Sequence, residues 1–181
     1  MSKRRLFHLS VALAIAVGAI ATLSYLTTHS PGSEPKSASP VPQMLDKVHE
    51  RKALAAELKK KPDHVPILLR LAELAREESK PAEAIQYLRE ALKVEPKNVE
   101  ALLELGRALY ESGDTDGALV ETKRLVEIEP KNTDALYNLG AIYGNLNQPE
   151  LARQYLTQAA KIAPESNGGK LARDALARLG P

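Results

Sequence analysis

The sequence predicts an all-α protein built from stacked pairs of helices. Prolines recur 34 residues apart, at Pro62, Pro96, Pro130 and Pro164, and apolar residues between them recur at the same interval. A period held over three units is typical of a solenoid in which each repeat packs only on its neighbours. The composition agrees, because one Phe, no Trp and 44% hydrophobic residues favour helices over a sheet core.

Charge is unevenly distributed along the chain. Residues 1–40 hold four basic residues and one acidic residue, whereas the remainder holds 21 basic and 22 acidic residues. No stripe of Lys and Arg is present that could face phosphates, so we expect no nucleic-acid partner. The chain has no cysteine, and its four histidines show no metal-ligand spacing. We therefore expect no metal site and no small-molecule cofactor.

The first 26 residues have the pattern of a membrane anchor. The basic start Lys3-Arg4-Arg5 precedes a mostly apolar run from Leu6 to Leu26. As a helix this run would be about 31 Å long, close to the thickness of the hydrocarbon core of a bilayer. We therefore predict a cytoplasmic basic start and a transmembrane signal-anchor over residues 1–26. Positive charge stays in the cytoplasm, so the rest of the chain is expected on the other side.

A cleaved signal peptide is the alternative for this segment. Ala19-Ile20-Ala21 offers a small-x-small cleavage site. Apolar sequence continues past that site to Leu26, beyond the usual length of a signal-peptide core, and this favours the uncleaved anchor. Both interpretations place the bulk of the chain in an extracytoplasmic space, tethered to a bacterial inner membrane or soluble in the periplasm.

A tether and a capping helix are predicted next. Residues 27–43, TTHSPGSEPKSASPVPQ, contain four prolines and four serines and offer no apolar face. Proline removes backbone hydrogen-bond donors, and the segment has no apolar face that could be buried in a core. We therefore predict a disordered tether. Residues 44–61 end just before Pro62, in register with the later second helices. We predict an N-terminal capping helix there, since a terminal repeat cannot bury its outer face alone.

Three helix-turn-helix repeats follow, at residues 65–98, 99–132 and 133–166. In each repeat, a first helix with apolar residues at helical spacing leads through a short break into a second helix. The equivalent inward positions are Leu68, Leu102 and Leu136; Leu71, Leu105 and Leu139; Ala84, Ala118 and Ala152; and Ala91, Leu125 and Ala159.

The tetrapeptide EPKN occurs at residues 95–98 and 129–132. We interpret both copies as the turn between one helix pair and the next, with Lys97 and Lys131 solvated. Asn132 or Thr133 can cap the helix that follows by accepting a first-turn N–H. On this interpretation the turns carry no chemistry of their own.

Residues 167–181 predict a C-terminal capping helix that starts after Gly168-Gly169. Its spacing places Leu171, Ala175 and Leu179 on the inward face. The charged residues then face outward: Lys170, Arg173, Asp174 and Arg178.

The repeated unit resembles the tetratricopeptide repeat family. That family has 34-residue repeats with a large apolar residue at the fourth position, L-G at the seventh and eighth, Ala at the twentieth and twenty-seventh, and Pro at the thirty-second. The resemblance covers Val65–Pro164. Departures from the pattern are Ala72 and, at the turn glycine, Ser79 and Asn147, together with Thr122 and Leu125 on a second helix. The resemblance implies a superhelical solenoid of three repeats plus capping helices behind the N-terminal transmembrane helix.

The resemblance also implies a groove, lined by the first helix of each repeat, that holds an extended peptide or a helix of a partner protein. The candidate partner-binding residues are Leu69, Glu73, Arg76, Leu103, Glu104, Arg107, Tyr110, Tyr137, Asn138, Ala141 and Asn145. Family members that grip a C-terminal carboxylate use Lys, Arg and Asn here, and only Asn138 fits, so such a clamp is disfavoured. Tyr110 and Tyr137 are the candidate hot spots. The alternative is that these tyrosines pack on neighbouring helices.

No catalytic motif is apparent. The sequence has no glycine-rich phosphate loop and no nucleophile elbow, and its carboxylates stand three or four residues from basic partners. We therefore expect a membrane-tethered protein-binding scaffold and not an enzyme. An accessory factor in the assembly of exported enzymes or envelope complexes, such as cytochrome c maturation, is the alternative. A carboxylate-based hydrolase is disfavoured by the interleaved arginines.

Overall fold

The computed structural model describes residues 40–179, with side chains from residue 46 onward. This part of the chain forms eight helices joined by short turns: α1 (Pro40–Leu58), α2 (Val65–Glu77), α3 (Pro81–Val94), α4 (Val99–Glu111), α5 (Thr115–Ile128), α6 (Thr133–Asn145), α7 (Pro149–Ile162) and α8 (Asn167–Leu179). Residues from Met44 onward form one compact unit, in which each helix from α2 onward packs against the next. The predicted all-α helical repeat is confirmed.

The predicted anchor over residues 1–26 and residues 27–39 of the predicted tether lie outside the described residues. Across residues 40–179, no helix is both long enough and apolar enough to cross a bilayer. The last four residues of the predicted tether belong to α1, which begins at Pro40 and not at Met44. Pro40 and Pro42 fall in its first turn, where backbone N–H groups have no intrahelical partner, so proline is tolerated there.

The first helix of each repeat begins at a side-chain cap. Asn98 Oδ1 accepts a hydrogen bond from Ala101 N at 2.9 Å, and Asn132 Oδ1 accepts one from Ala135 N at 3.0 Å. His64 occupies the same position ahead of α2, where its Nδ1 lies 3.4 Å from Ile67 N. The predicted cap at Asn132 is confirmed. Each cap satisfies one donor of the helix start, and the EPKN turns therefore set where α4 and α6 begin.

The turn inside each repeat contains a residue in the left-handed backbone conformation, and the spacing between these residues is constant. The backbone φ angle is 58° at Ser79, 88° at Gly113 and 57° at Asn147, and these positions are 34 residues apart. Asn adopts this conformation at a lower free-energy cost than most residues, and for Ser the cost is higher. The departures from glycine at this position therefore change the conformational free energy of the turn but keep a left-handed φ.

The core follows the 34-residue interval. All twelve equivalent inward positions predicted from the sequence are buried, with at most 2% of each residue exposed. Gly140 marks a close contact between α6 and α7, because a Cβ built on it would lie 2.5 Å from Leu156 Cγ. The buried core therefore runs from repeat to repeat as nearest-neighbour contacts, as expected for a solenoid.

The inward face of α8 differs from the prediction. Gly168, Gly169 and Ala172 are buried, and the predicted inward residue Ala175 is half-buried against the core. Leu171 and Leu179, also predicted inward, are 37% and 36% exposed. The helix begins at Asn167, so both glycines lie inside its first turn. A Cβ on Gly168 would lie 2.6 Å from Asp134 N and would also meet the Thr133 carbonyl.

Close packing of α8 on the start of α6 therefore selects its smallest residues for the interface. Two hydrogen bonds hold this contact: Thr133 Oγ1 lies 2.9 Å from Ser166 Oγ, and Asn167 Nδ2 donates to Asp134 Oδ1 at 3.2 Å. The four charged residues predicted to face outward are exposed, as expected.

Helix α1 is attached to the first repeat by charged side chains. Arg51 contacts Glu78 and Glu83, and Lys47 Nζ lies 2.9 Å from Glu77 Oε2. From residue 46 to residue 58 none of its side chains is fully buried, and Leu58 is half-buried against the core. This capping helix therefore relies on ion pairs where the repeats rely on apolar packing.

Candidate functional site

The eleven candidate residues lie on α2, α4 and α6, and we call the surface that they form the groove face. None of them is buried: Glu73 and Asn145 are exposed, and the other nine are half-buried. The fully buried leucines of each helix face the second helix of the repeat, and the candidate positions, including Leu69 and Leu103, lie on the other side of the helix. The groove face is therefore accessible to a partner along all three repeats.

A cleft of about 520 Å³ opens at the first-repeat end of the groove face. It brings together four of the candidate residues, Leu69, Glu73, Arg76 and Glu104. The other lining residues are Val65, Pro66, Arg70, Ala72, Ala84, Leu88, Glu95, Asn98 and Glu100. The remaining seven candidate residues do not line this cleft.

Two residues of the cleft were missed because they belong to a turn. Glu95 and Asn98 are the first and last residues of the EPKN turn, which the sequence pattern suggested was only a spacer. Lys97, in the same turn, is exposed and does not line the cleft. Asn98 Nδ2 donates to Glu95 Oε2 at 2.7 Å. The sequence did contain a signal for this position, because Asn98 is a helix cap and a cap residue holds its turn against the start of the next helix.

The guanidinium groups of the cleft are already paired. Arg70 donates to Glu50 on α1 through Nε at 2.7 Å and Nη2 at 2.9 Å, and to Glu73 through Nη1 at 2.5 Å. Glu104 lies between two cations, 3.5 Å from Arg76 Nε and 3.1 Å from Arg107 Nη1. The predicted interleaving of arginines with carboxylates is therefore present on α2 and α4.

These contacts change the protonation equilibrium at the edge of the cleft. The pKa of Glu50 is lowered, first because Arg70 donates hydrogen bonds to its carboxylate and further by the positive charges of Arg70 and Lys47. The hydrogen bonds that Arg70 donates to Glu50 and to Glu73 raise the pKa of Arg70. Both groups therefore stay charged across the physiological range, and their ion pair joins α1 to Arg70 of the cleft lining.

In the second and third repeats, the groove face carries tyrosine and asparagine side chains. Tyr137 is half-buried and packs against the cluster formed by Leu136, Leu156, Ala159 and Ala172. Tyr110 is half-buried against the larger cluster under the first two repeats. Asn138 Nδ2 is shielded from solvent and has no hydrogen-bond partner among the described residues. Each tyrosine thus packs on its neighbours and still presents a surface, while Asn138 has an unused donor.

A second aromatic cluster lies outside the groove face. The rings of Tyr143 and Tyr155 stack with centroids 5.5 Å apart and an interplanar angle of 6°. Lys123 Nζ lies 5.6 Å from the centroid of the Tyr143 ring, and a hydrogen bond to Tyr143 raises the pKa of Lys123. Tyr143 is only 6% exposed and therefore belongs to the core. The stack joins α6 to α7 and is part of the packing of the core.

Acidic side chains on the described part of the chain are not gathered into a metal centre. No group of three or more His, Asp or Glu residues there is arranged to hold a metal ion. The side chains of the groove face can make hydrogen bonds, ion pairs and apolar contacts.

The sequence of the chain matches two protein-family models. One sequence model described as a tetratricopeptide repeat matches residues 75–128 and 110–179, which is more than half of the chain, and a second model of the same description matches residues 51–92. The chain belongs to the tetratricopeptide repeat family. In this tetratricopeptide repeat protein the second match extends into α1, in agreement with a degenerate repeat ahead of Val65.

Solved structures with similar folds include three that can be compared in detail. The crystal structure of MamA is 21% identical with a TM-score of 0.64, over 79% of this chain and 86% of that chain. YrrB, described as a TPR protein with an unusual peptide-binding site, is 25% identical with a TM-score of 0.65, over 75% and 67%. A tetratricopeptide repeat protein from Parabacteroides merdae is 25% identical with a TM-score of 0.66, over 76% and 55%. None of the curated proteins compared with the chain matches it.

Proposed function

We propose that this tetratricopeptide repeat protein is a scaffold that binds a partner protein, as a peptide segment or a helix, on the groove face. The observation that carries the proposal is the accessibility of all eleven candidate residues on the three first helices. Tyr137 and Asn138 are both half-buried on this face, so each still presents part of its surface to a bound segment. The similarity to YrrB supports this proposal, since that protein is described as having a peptide-binding site.

The scaffold is proposed to be tethered to the inner membrane of a bacterium through residues 1–26, with the repeats on the extracytoplasmic side. The basic start and the 21-residue apolar run support this placement. Binding and not catalysis is proposed, because the two glutamates among the candidate residues, Glu73 and Glu104, are both in contact with arginines.

Site-specific photo-crosslinking in cells tests the proposed binding surface. A photoreactive phenylalanine analogue at position 137 is expected to capture one defined partner protein, identified by mass spectrometry. The matched control places the same analogue at Gln158, which is exposed on α7 and away from the groove face. Crosslinking is preferred to Tyr137→Ala, because Tyr137 also packs against the cluster beneath α8 and its truncation would lower stability.

Capture of the same partner from position 137 and from position 103, but not from position 158, is the expected result. Leu103 is a half-buried residue of the groove face on α4, so it reports on the second repeat. Equal yields from positions 137 and 158, or no adduct at either, would mean that the groove face is not the binding surface.

A further inference from the structure

The cleft at the first-repeat end combines an apolar floor with an acidic rim. Val65, Leu69 and Leu88 contribute aliphatic surface between α2 and α3. Four carboxylates line the same cleft, and two guanidinium groups oppose them, so its formal charge is −2. A floor of this kind suits a long aliphatic chain, and a rim of this charge suits a cationic end group.

The negative charge is concentrated on two side chains. Glu73 and Glu104 are paired with arginines, and Arg70 is further neutralised by Glu50 on α1. Over the described residues, no basic side chain lies within ion-pair distance of Glu95 or Glu100. Neither carboxylate thus has a cation of its own, and a partner can supply one.

Arg76 does not add a free cation to the cleft. Its Nε is shielded from solvent and lies 3.5 Å from Glu104 Oε2, within ion-pair distance. Glu95 and Glu100 are exposed, so they remain the acceptors that a cationic side chain of a partner can reach.

We propose that this cleft binds a lysine or arginine side chain of the partner segment, with its aliphatic stem on Leu69 and its charged end at Glu95 and Glu100. This inference rests on the proposed function and names the chemistry of the partner: a basic peptide. Complementary charge favours such a segment and repels acidic ones. A purely apolar segment would shield both carboxylates from water without pairing them, which is costly.

Fluorescence anisotropy with three labelled decamers tests the proposal, with the full-length chain in neutral detergent at physiological ionic strength. The probes are alternating alanine–lysine, alanine–serine and alanine–glutamate peptides. The alanine–lysine probe is expected to bind about tenfold tighter than the alanine–serine probe, as two new ion pairs would give. Glu95→Gln with Glu100→Gln is expected to remove most of that preference.

The matched control is Glu129→Gln with Glu150→Gln. Glu129 holds the same turn position in the next repeat and accepts a hydrogen bond from Asn132 Nδ2 at 2.9 Å, as Glu95 does from Asn98. Glu150 lies in the first turn of α7, as Glu100 lies in the first turn of α4. Both double variants remove two negative charges, so only the position of the charge differs. The control is expected to bind the alanine–lysine probe within about twofold of the unmodified chain, since exposed charges far from a ligand are screened.

Equal affinity for the three probes, or an equal loss in both double variants, would overturn the proposal. Self-association of the chain that disappears in Glu95→Gln with Glu100→Gln would also overturn it, because a second copy would then fill the cleft. The result is separable from the proposed function. Capture of a partner from position 137 without a preference for lysine would leave the groove face as the binding surface and reject only the basic peptide.

Discussion

Gly168 and Gly169 show how single residues set the position of α8. Each lies in the first turn of the helix, and a Cβ on Gly168 would meet the backbone of Thr133 and Asp134, which belongs to another helix. A Cβ on Gly169 would meet the carbonyl oxygen of Ala163. Backbone atoms cannot rotate away as a flexible side chain can. The two glycines are therefore required by close approach and not by their own backbone angles.

Gly168→Ala is expected to destabilise the protein by about 1–3 kcal/mol, because α8 must move away from α6 and lose the packing beneath it. Urea denaturation followed by circular dichroism measures the change. Gly144→Ala is the matched control, since the Cβ added there would find its nearest neighbour at 4.0 Å, the Cβ of Ala152. The control is expected to stabilise by up to about 1 kcal/mol through lower chain entropy in a helix. Equal effects at the two positions would contradict the close contact.

Helix α1 is an element whose attachment differs from that of its neighbours. The six helices of the repeats bury leucines and alanines against one another, whereas the described side chains of α1 are exposed or half-buried. Its contacts with the first repeat include forked hydrogen bonds from Arg70 to Glu50 and ion pairs from Arg51 to Glu78 and Glu83. Ion pairs of this exposure are individually weak and are screened by salt.

Arg51→Glu is expected to release α1 from the first repeat. The change replaces two attractions with two repulsions, worth about 1–2 kcal/mol in total at this exposure. Amide hydrogen exchange should then accelerate for residues 46–58 and remain unchanged for α4. Lys52→Glu makes the same change in charge one residue further on, at an exposed position, and should leave exchange near that of the unmodified chain. Acceleration in both variants would indicate a general charge effect and not a specific attachment.

The attachment of α1 should also depend on pH. The pKa of Glu50 is lowered by Arg70, and the pKa of Glu78 is lowered first by Lys80 and then by Arg51, both from an unperturbed value of 4.5. A lowered pKa in the folded state means that the stabilisation is complete above 4.5 and is lost as the pH falls through the lowered values. In the unmodified chain, protection of α1 should therefore decrease below this pH before that of α4.

On the scale of the whole molecule, the repeats provide one surface, and we propose that the first 26 residues anchor it to a membrane. The described part from Met44 onward is one compact unit whose groove face spans three repeats. The proposed anchor would keep this unit at a membrane surface and raise its local concentration there. Such an arrangement suits a scaffold whose partner is also held at or exported across the same membrane.

The intact mass of the chain recovered from the membrane fraction of cells tests the anchor. We expect a species that retains Lys3-Arg4-Arg5 and the apolar run, because that run continues past the possible cleavage site. The species should stay with the membranes after a high-salt wash, since a spanning helix is not held by charge. An N-terminus at Thr22, in the soluble fraction, would instead identify a cleaved signal peptide.

Several features of the candidate site depend on contacts between segments that are distant in the sequence. The eleven candidate residues were predicted from their place in the repeat, and all are accessible. Glu95, Asn98 and Leu88 were not predicted, because a turn and a second helix complete the cleft only after α3 has packed against α2 and α4. The unused donor of Asn138 has the same origin, since its shielding comes from neighbouring helices.

What the sequence by itself determined is the repeat: its interval, its caps, its turn positions and its buried leucines. These are properties of one helix pair, and helical spacing encodes them locally. Only the tertiary structure decided which face of α8 points inward and which carboxylates of the cleft remain unpaired. Spacing along a helix identifies its apolar face, but the distance to the neighbouring backbone selects the residues that fit. At α8 that distance favoured Gly168, Gly169 and Ala172 over Leu171 and Leu179.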